Sequence, residues 1–410
     1  MTTVHPFGRS AADVQSDIGR TFCSRPLAER SRLTWWLRSG GDPAQLLADF
    51  LADAGLSSPD LSDLAGTGHD CRSDISVTRE RHAEEPVCGA AVLVSAAGCA
   101  ALAGAPPGPP SPVPAIPDLL AVVFDHAPAP PGRHPYGDFR LGPWQPSWTA
   151  QQHAGAVRRV RAAIGRGDVY QVNVVGHASA AYRGDPAGPL RAVTRLPGAR
   201  YAGVLSGPGW AIACASPETL VEVGAGRVTT RPIKGTRPAT AQGRTELLGS
   251  AKERAEHVMI VDLERNDLAR VARTGSVRVD ELYAVRRWCD LWQAESTVSA
   301  QLAPGTGLPD LLRAVCPGGS VTGAPKLAAL DLIADLEPVG RGPSMGAFGW
   351  IDREHLDLGL TIRTVAVDAD RVHVWAGGGI TWDSDPAAEV AEAAAKAGPL
   401  RAALVAQPLP

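Results

Sequence analysis

Lys234 stands between an isoleucine and a glycine in Arg231-Pro232-Ile233-Lys234-Gly235-Thr236, after the strand-like Gly226 to Thr230. A lysine shielded from water has a lowered pKa and can act as nucleophile or base, which arginine cannot. An isolated lysine in a turn is more often a solvated surface group, so the position alone leaves both readings open. Sixteen positions earlier, Glu218 follows the apolar run Trp210 to Ala215. Partly desolvated, it could be a general acid or base; alone, it reads as a loop carboxylate. Glu253 and Glu256 are three apart and share one face of a predicted helix, and Glu389 and Glu392 repeat that spacing with Lys396 four further on. Each set reads most simply as a solvated helix face with an ion pair. The two pairs could instead converge on Mg²⁺, which takes one or two protein carboxylates and keeps positions for water and ligand oxygens.

Gly377-Gly378-Gly379, expected between a strand and a helix, could cradle an anion on backbone N–H groups, with Arg363 nearby for a bidentate grip. An ordinary turn accounts for three glycines equally well. Cys316 to Lys326 (CPGGSVTGAPK) is glycine-rich and precedes a helix, but lacks the G-x-x-x-x-G-K-[ST] order of a phosphate loop. Nucleotide binding is therefore not expected.

These residues need elements to hold them. Ala150 to Gly165 has helical spacing, Val169 to Val175 is strand-like, and Pro386 to Lys396 is a helix with proline suited to its first turn. Leu356 to Val367 and Arg371 to Ala376 alternate about Asp368-Ala369-Asp370, predicting a hairpin whose symmetric closure sets Arg363 across from Trp375. In the first third, Arg30 to Ala54 reads as a helix closed by Gly55. Ala90 to Leu102 is a small-residue apolar run, and Leu119 to Phe124 is strand-like. Residues 105–117 (APPGPPSPVPAIP) form a loop, because so many prolines remove donors and fix φ. Long strands mixed with helices in no strict βαβ order predict an α+β fold rather than a doubly wound one. The change of texture near Trp148 suggests an N-terminal subdomain over 1–145 and a catalytic domain over 146–405.

The chain has 410 residues, 43 acidic and 40 basic, for a net charge of −3. That balance offers no footprint for nucleic acid and no polybasic membrane signal. Only four of the 40 cations are lysines: Lys234, Lys252, Lys326 and Lys396. Seven cysteines make an odd count with no C-x-x-C pair and no metal-type spacing, which fits a reducing compartment. Met1 to Arg20 lacks the apolar stretch of a signal peptide, and no segment reaches the roughly 18 apolar residues of a membrane span. A folded, cytoplasmic chain without membrane or nucleic-acid partners is expected.

Taken together, the segments resemble the chorismate-utilising family, and within it the aminodeoxychorismate synthase component I group. The resemblance covers roughly residues 150 to 400 and rests on GDVYQVN (167–173), ASPET (215–219), PIKGT (232–236), AEHVMIVDLERNDLARV (255–271), PGGSVTGAPK (317–326), IRT (362–364) and AGGGI (376–380). It implies two facing antiparallel β-sheets flanked by helices, with the active site in the cleft. It also implies that Lys234, where anthranilate synthases carry Ala, attacks C2 of chorismate while Glu218 protonates the departing C4 hydroxyl. Glu256 and Glu392 match the family's Mg²⁺ ligands, with Glu253 and Glu389 supporting. Arg363, Gly377, Gly379, Thr322, Gly323 and Lys396 match positions that bind substrate carboxylates. Gln171 stands where relatives that add water carry a lysine base, so ammonia is the implied nucleophile.

Three positions depart from the family pattern. Gln293 replaces a histidine that pyruvate-eliminating relatives need, Trp350 replaces a tyrosine, and the N-terminal third shows no tryptophan-binding motif. None of the seven cysteines sits on an amidotransferase-type nucleophile elbow, so the resemblance implies ammonia from a separate glutamine amidotransferase subunit or from solution.

Overall fold

The computed structural model describes residues 23, 26–56, 59–64, 87–127 and 136–405. Met1 to Arg20 and Cys71 lie outside them. Among the described residues, eighteen strands form two antiparallel sheets. The first holds β1 (Leu27–Trp35), β2 (Gly89–Val94), β3 (Leu119–His126), β9 (Thr219–Gly224), β10 (Arg227–Arg231), β11 (Ile233–Pro238), β12 (Arg278–Trp288), β13 (Leu291–Gln301), β15 (Ala347–Ile351) and β16 (Leu356–Leu360). Its order is β1-β3-β2-β15-β16-β9-β10-β13-β11, with β12 also on β13. The second holds β4 (Phe139–Leu141), β5 (Gln145–Pro146), β6 (Gln171–Gly184), β7 (Tyr201–Gly207), β8 (Trp210–Ser216), β14 (Gly323–Ala324), β17 (Thr364–Val367) and β18 (Arg371–Ile380). Its order is β14-β6-β18-β17-β8-β7, with β4 and β5 on β6.

β8 shows why the sheets face each other. Trp210, Ile212 and Cys214 join the core that also holds Val221, Phe348 and Leu358 of the first sheet. Ala211, Ala213 and Ala215 point the other way, against Leu400 and Leu404 of the helix Pro386–Val405. Side chains alternate across a strand, so large residues fill the space between sheets while alanines let the helix approach. The helices Ala150–Arg166 and Lys326–Leu336 cover the same outer face through Val172, Val174 and Ile380. The expected α+β architecture of two facing antiparallel sheets with flanking helices is what the chain adopts.

Strands from both sides of the 145/146 boundary share the first sheet, since β2 pairs with β15. Two local expectations are corrected. Arg30 to Trp35 belongs to β1, paired with β3, and the helix begins only at Pro43, where Asp42 caps it by accepting from Ala44 N. Gly40 and Gly41, at φ +65° and +85°, separate the two. The alternation from Leu356 to Val367 spans two strands in different sheets: β16 pairs with β15 and β9, whereas β17 pairs with β18 and β8. The hairpin of β17 and β18 forms, but Val365 faces Val374. That register is one residue off the symmetric closure and leaves Arg363 in the crossover between sheets, at φ +52°.

Candidate active site

A cleft with roughly 830 Å³ of empty space, its open mouth included, runs between β11 of the first sheet and β18 of the second. Lys234, Glu218, Arg363, Lys396 and all four glutamates line it.

Lys234 reaches the cleft through a backbone irregularity. β11 pairs Lys234 with Ala294 and Thr236 with Gln293, so Gly235 is an extra residue in the ladder. Its φ of +81° suits glycine, and a Cβ there would come within 2.9 Å of Leu247 and 3.0 Å of a Glu253 oxygen. Such a bulge re-aims neighbouring side chains. The Lys234 ammonium donates to Ser320 O at 3.4 Å. A Cβ on Gly379 would lie 2.3 Å from Lys234 Nζ, so that glycine makes room for the amine. Burial, followed by the nearby Lys396 charge, holds Lys234 below the usual lysine pKa.

Glu218, 4% exposed, lies between β8 and β9. Its Oε1 accepts from Ser320 Oγ at 2.6 Å and from Ile233 N at 3.2 Å. Burial outweighs those bonds and raises its pKa to about 7. Ser320 therefore touches both groups, its hydroxyl on the acid and its carbonyl on the amine.

The helices Ala251–Ala269 and Pro386–Val405 bring the two carboxylate pairs to one side of the cleft. Each carboxylate has one oxygen held. Glu253 Oε1 pairs with Arg237 at 2.8 Å, and Glu256 Oε1 accepts from Thr381 Oγ1 at 2.6 Å. Glu389 Oε1 accepts from Ser384 Oγ at 2.6 Å, and Glu392 Oε1 pairs with Lys396 at 2.6 Å. Burial raises the pKa of Glu253 and Glu389. For Glu392 burial is outweighed by Lys396, and the pKa falls. Four carboxylates lining one cleft are hard oxygen donors, which suit a divalent cation such as Mg²⁺ better than a thiophilic metal. Their oxygens do not close into a tight group of three. An ion that keeps waters and takes substrate oxygens needs no such cage.

Arg363, 6% exposed, donates from one terminal nitrogen to Lys396 O at 3.0 Å and stacks over Trp288 at 4.4 Å. Its buried Nε has no partner, and burial lowers its pKa to about 10. A desolvated, incompletely bonded guanidinium is a seat for an anion. The glycine run lies inside β18, paired with β6, rather than between a strand and a helix. Gly377 offers its carbonyl to Lys396 Nζ at 2.9 Å, and a Cβ on Gly378 would come within 3.0 Å of Glu389 Oε2. Thr322 and Gly323 lie behind the cleft wall: the hydroxyl donates to Gly318 O at 2.8 Å, and Gly323 packs its backbone on Gln171 O. Gln171 is fully buried behind Gly379 with both amide atoms unpartnered. Gln293 lines the cleft, whereas Trp350 stacks on Phe124 in the core.

Sequence reading missed Ser320 and the cluster beneath it. Glu264 accepts from Gly319 N at 3.1 Å, and burial, aided by Asp267, raises its pKa to about 8. Lys326 pairs with Asp267 at 2.8 Å. Lys252 also lines the cleft, 3.6 Å from Glu256. The rarity of lysine in this chain was a signal for both.

The chain thus sets a buried acid, a desolvated lysine and oxygen donors from two helices around one cleft between facing antiparallel sheets. Residues 111–402 match the family model described as chorismate binding enzyme, and the chain belongs to that family. Aminodeoxychorismate synthase component 1 of Klebsiella aerogenes is 39% identical over 256 residues, 61% of this chain and 57% of that one. Anthranilate synthase component 1 of Streptomyces coelicolor is 41% identical over 257 residues, 61% of this chain and 50% of that one. The chain thus spans between half and three fifths of these curated relatives. The crystal structure of anthranilate synthase component I from Streptococcus pneumoniae superposes with a TM-score of 0.72 at 26% identity, covering 92% of each chain. Among the described residues, no helix is long and apolar enough to cross a membrane.

Proposed function

We propose that this chain converts chorismate and ammonia to 4-amino-4-deoxychorismate, a step towards p-aminobenzoate. Overall identity does not discriminate, because aminodeoxychorismate and anthranilate synthases match about equally well. The observation that carries the reading is the bridging of Lys234 and Glu218 by one residue, Ser320. Chorismate's C4 hydroxyl is a poor leaving group without a proton, and a covalent intermediate divides one hard substitution into two easier ones. The Lys234 amine bonds to C2, both conjugated ring double bonds shift by one position, and the C4–O bond breaks as Glu218 delivers a proton, releasing water. Ammonia then bonds to C4 and the C2–N bond breaks. The secondary ammonium departs as the neutral amine of Lys234, and the proton gained at C4 returns to Glu218, restoring both groups.

Arg363 and Lys396 are suited to the substrate carboxylates. Glu256 and Glu392, with Glu253 and Glu389 beside them, would hold Mg²⁺, which neutralises and orients the ring carboxylate. Ammonia would come from a separate glutamine amidotransferase or from solution, and the cytosol is the expected compartment. Purified protein with chorismate, Mg²⁺ and ammonium should yield a product that an added lyase converts to p-aminobenzoate. Anthranilate as the main product would overturn the assignment. Glu256→Gln should raise the Mg²⁺ concentration needed for half-maximal rate; an unaltered titration removes the ligand role.

A further inference from the structure

At the edge of the first sheet opposite β11, three neighbouring strands gather sulfur and imidazole ligands. β3 lies between β1 and β2. His126 is the last residue of β3 and pairs with Leu27, Cys23 lies four positions before β1, and Cys88 immediately precedes β2. Cys88 N donates to Phe124 O at 2.9 Å, which holds that cysteine beside the end of β3. Ligand atoms of Cys23, Cys88 and His126 all lie within 4.8 Å of one another, the one such group of His, Cys, Asp and Glu among the described residues. Cys23 Sγ is 3.6 Å from His126 Nε2. A tetrahedral ion with Zn–S near 2.3 Å and Zn–N near 2.05 Å sets its sulfur and nitrogen ligands roughly 3.6 Å apart. Both cysteines are buried, 3% and 2% exposed, and neither is in a disulfide.

We propose that Cys23, Cys88 and His126 bind a zinc ion that fastens the chain before β1 and β2 to the end of β3. Two thiolates and an imidazole are soft to borderline donors, which select zinc over the hard cation suited to the cleft glutamates. The remaining position falls to water or to a further side chain. Sequence spacing hides the site, because its ligands are 65 and 38 positions apart and meet only through strand order. An ion bound by the native arrangement stabilises it by mass action, and here it would secure β1, an edge strand.

The test uses the full chain purified without chelators. Elemental analysis should find zinc equimolar with protein. Cys88→Ser and His126→Ala should each lower zinc affinity at least about tenfold in competition with a chromogenic chelator. Should either variant fail to fold, cobalt exchanged into the wild type provides a second readout. It should show a thiolate-to-cobalt charge-transfer band with intense tetrahedral d–d absorption. No metal retained after zinc loading, six-coordinate cobalt without the thiolate band, or unchanged affinity in both variants overturns the site. Chelation should lower thermal stability without touching the cleft residues, so failure here is distinguishable from failure of the proposed reaction.

Discussion

In the proposed reaction Lys234 reaches chorismate as a neutral amine and Glu218 donates as a neutral acid. Both environments act in that direction: burial and Lys396 lower the amine, and burial raises the acid to about 7. The active fraction therefore falls as pH rises through about 7 and Glu218 ionises. Glu218→Gln should cut kcat by about 10²–10⁴-fold, the usual worth of a placed general acid, and abolish that alkaline limb. Stability should move oppositely. A carboxyl raised from 4.5 to about 7 keeps its proton longer in the folded state, so stability is lost as pH rises between those values. At pH 8 the variant should be more stable than wild type by on the order of 3 kcal/mol, and the gain should vanish below about pH 4. Lys234→Ala should suppress 4-amino product by at least about a hundredfold; unchanged output removes the nucleophile. Residue type made these two positions legible. Ser320 was not, because a serine in a glycine-rich stretch shows nothing until folding sets Glu218 on its hydroxyl and Lys234 on its carbonyl.

At the scale of elements, the site depends on two glycines in different sheets. Gly235 supplies the bulge in β11, and Gly379 supplies the hollow in β18 that the amine enters. Gly379→Ala should fold, since the group nearest the new methyl is the end of a flexible side chain, Lys234 Nζ at 2.3 Å. Turnover should nevertheless fall by at least about tenfold, because small misplacements of a reacting group cost rate steeply. A melting temperature close to wild type with full activity would show that the amine does not need that hollow. The glycine run was legible as a place where backbone must come close, but its setting was not: β6 pairs along the whole run and extends the strand. Arg30 to Trp35 shows the opposite failure, a local pattern with helical spacing that pairing with β3 overrides. The alternation from Leu356 to Val367 hid a change of sheet, because a period of two looks the same in either one.

At the scale of the whole molecule, the reacting groups come from both sheets, so the cleft exists only when the sheets face each other. Lys234 belongs to the first, whereas Glu218 and Arg363 sit in connections that cross between the two. With ammonia as nucleophile, the chain should turn over with ammonium alone and gain glutamine dependence only when an amidotransferase is added. Activity with glutamine and no second protein would overturn the separate-subunit reading. Fold class followed from the sequence because long alternating segments and helices occurred in no βαβ order. Strand order did not follow, since it places β2 beside β15 and joins residues more than 250 positions apart.

β18 carries a further consequence. Its partner β17 accompanies it only as far as Val374, so the following stretch, glycines included, has no strand on that side among the described residues. Bare strand edges are templates onto which other chains can add, and natural sheets defend them with charge, lysine above all. Here the defence is Lys396, whose ammonium sits on Gly377 O at 2.9 Å. Glycines with little strand preference and a cation on the unpaired backbone disfavour the addition of a further strand there. The same bare edge that opens the cleft beside Arg363 and Lys396 is therefore also the one that a cation guards.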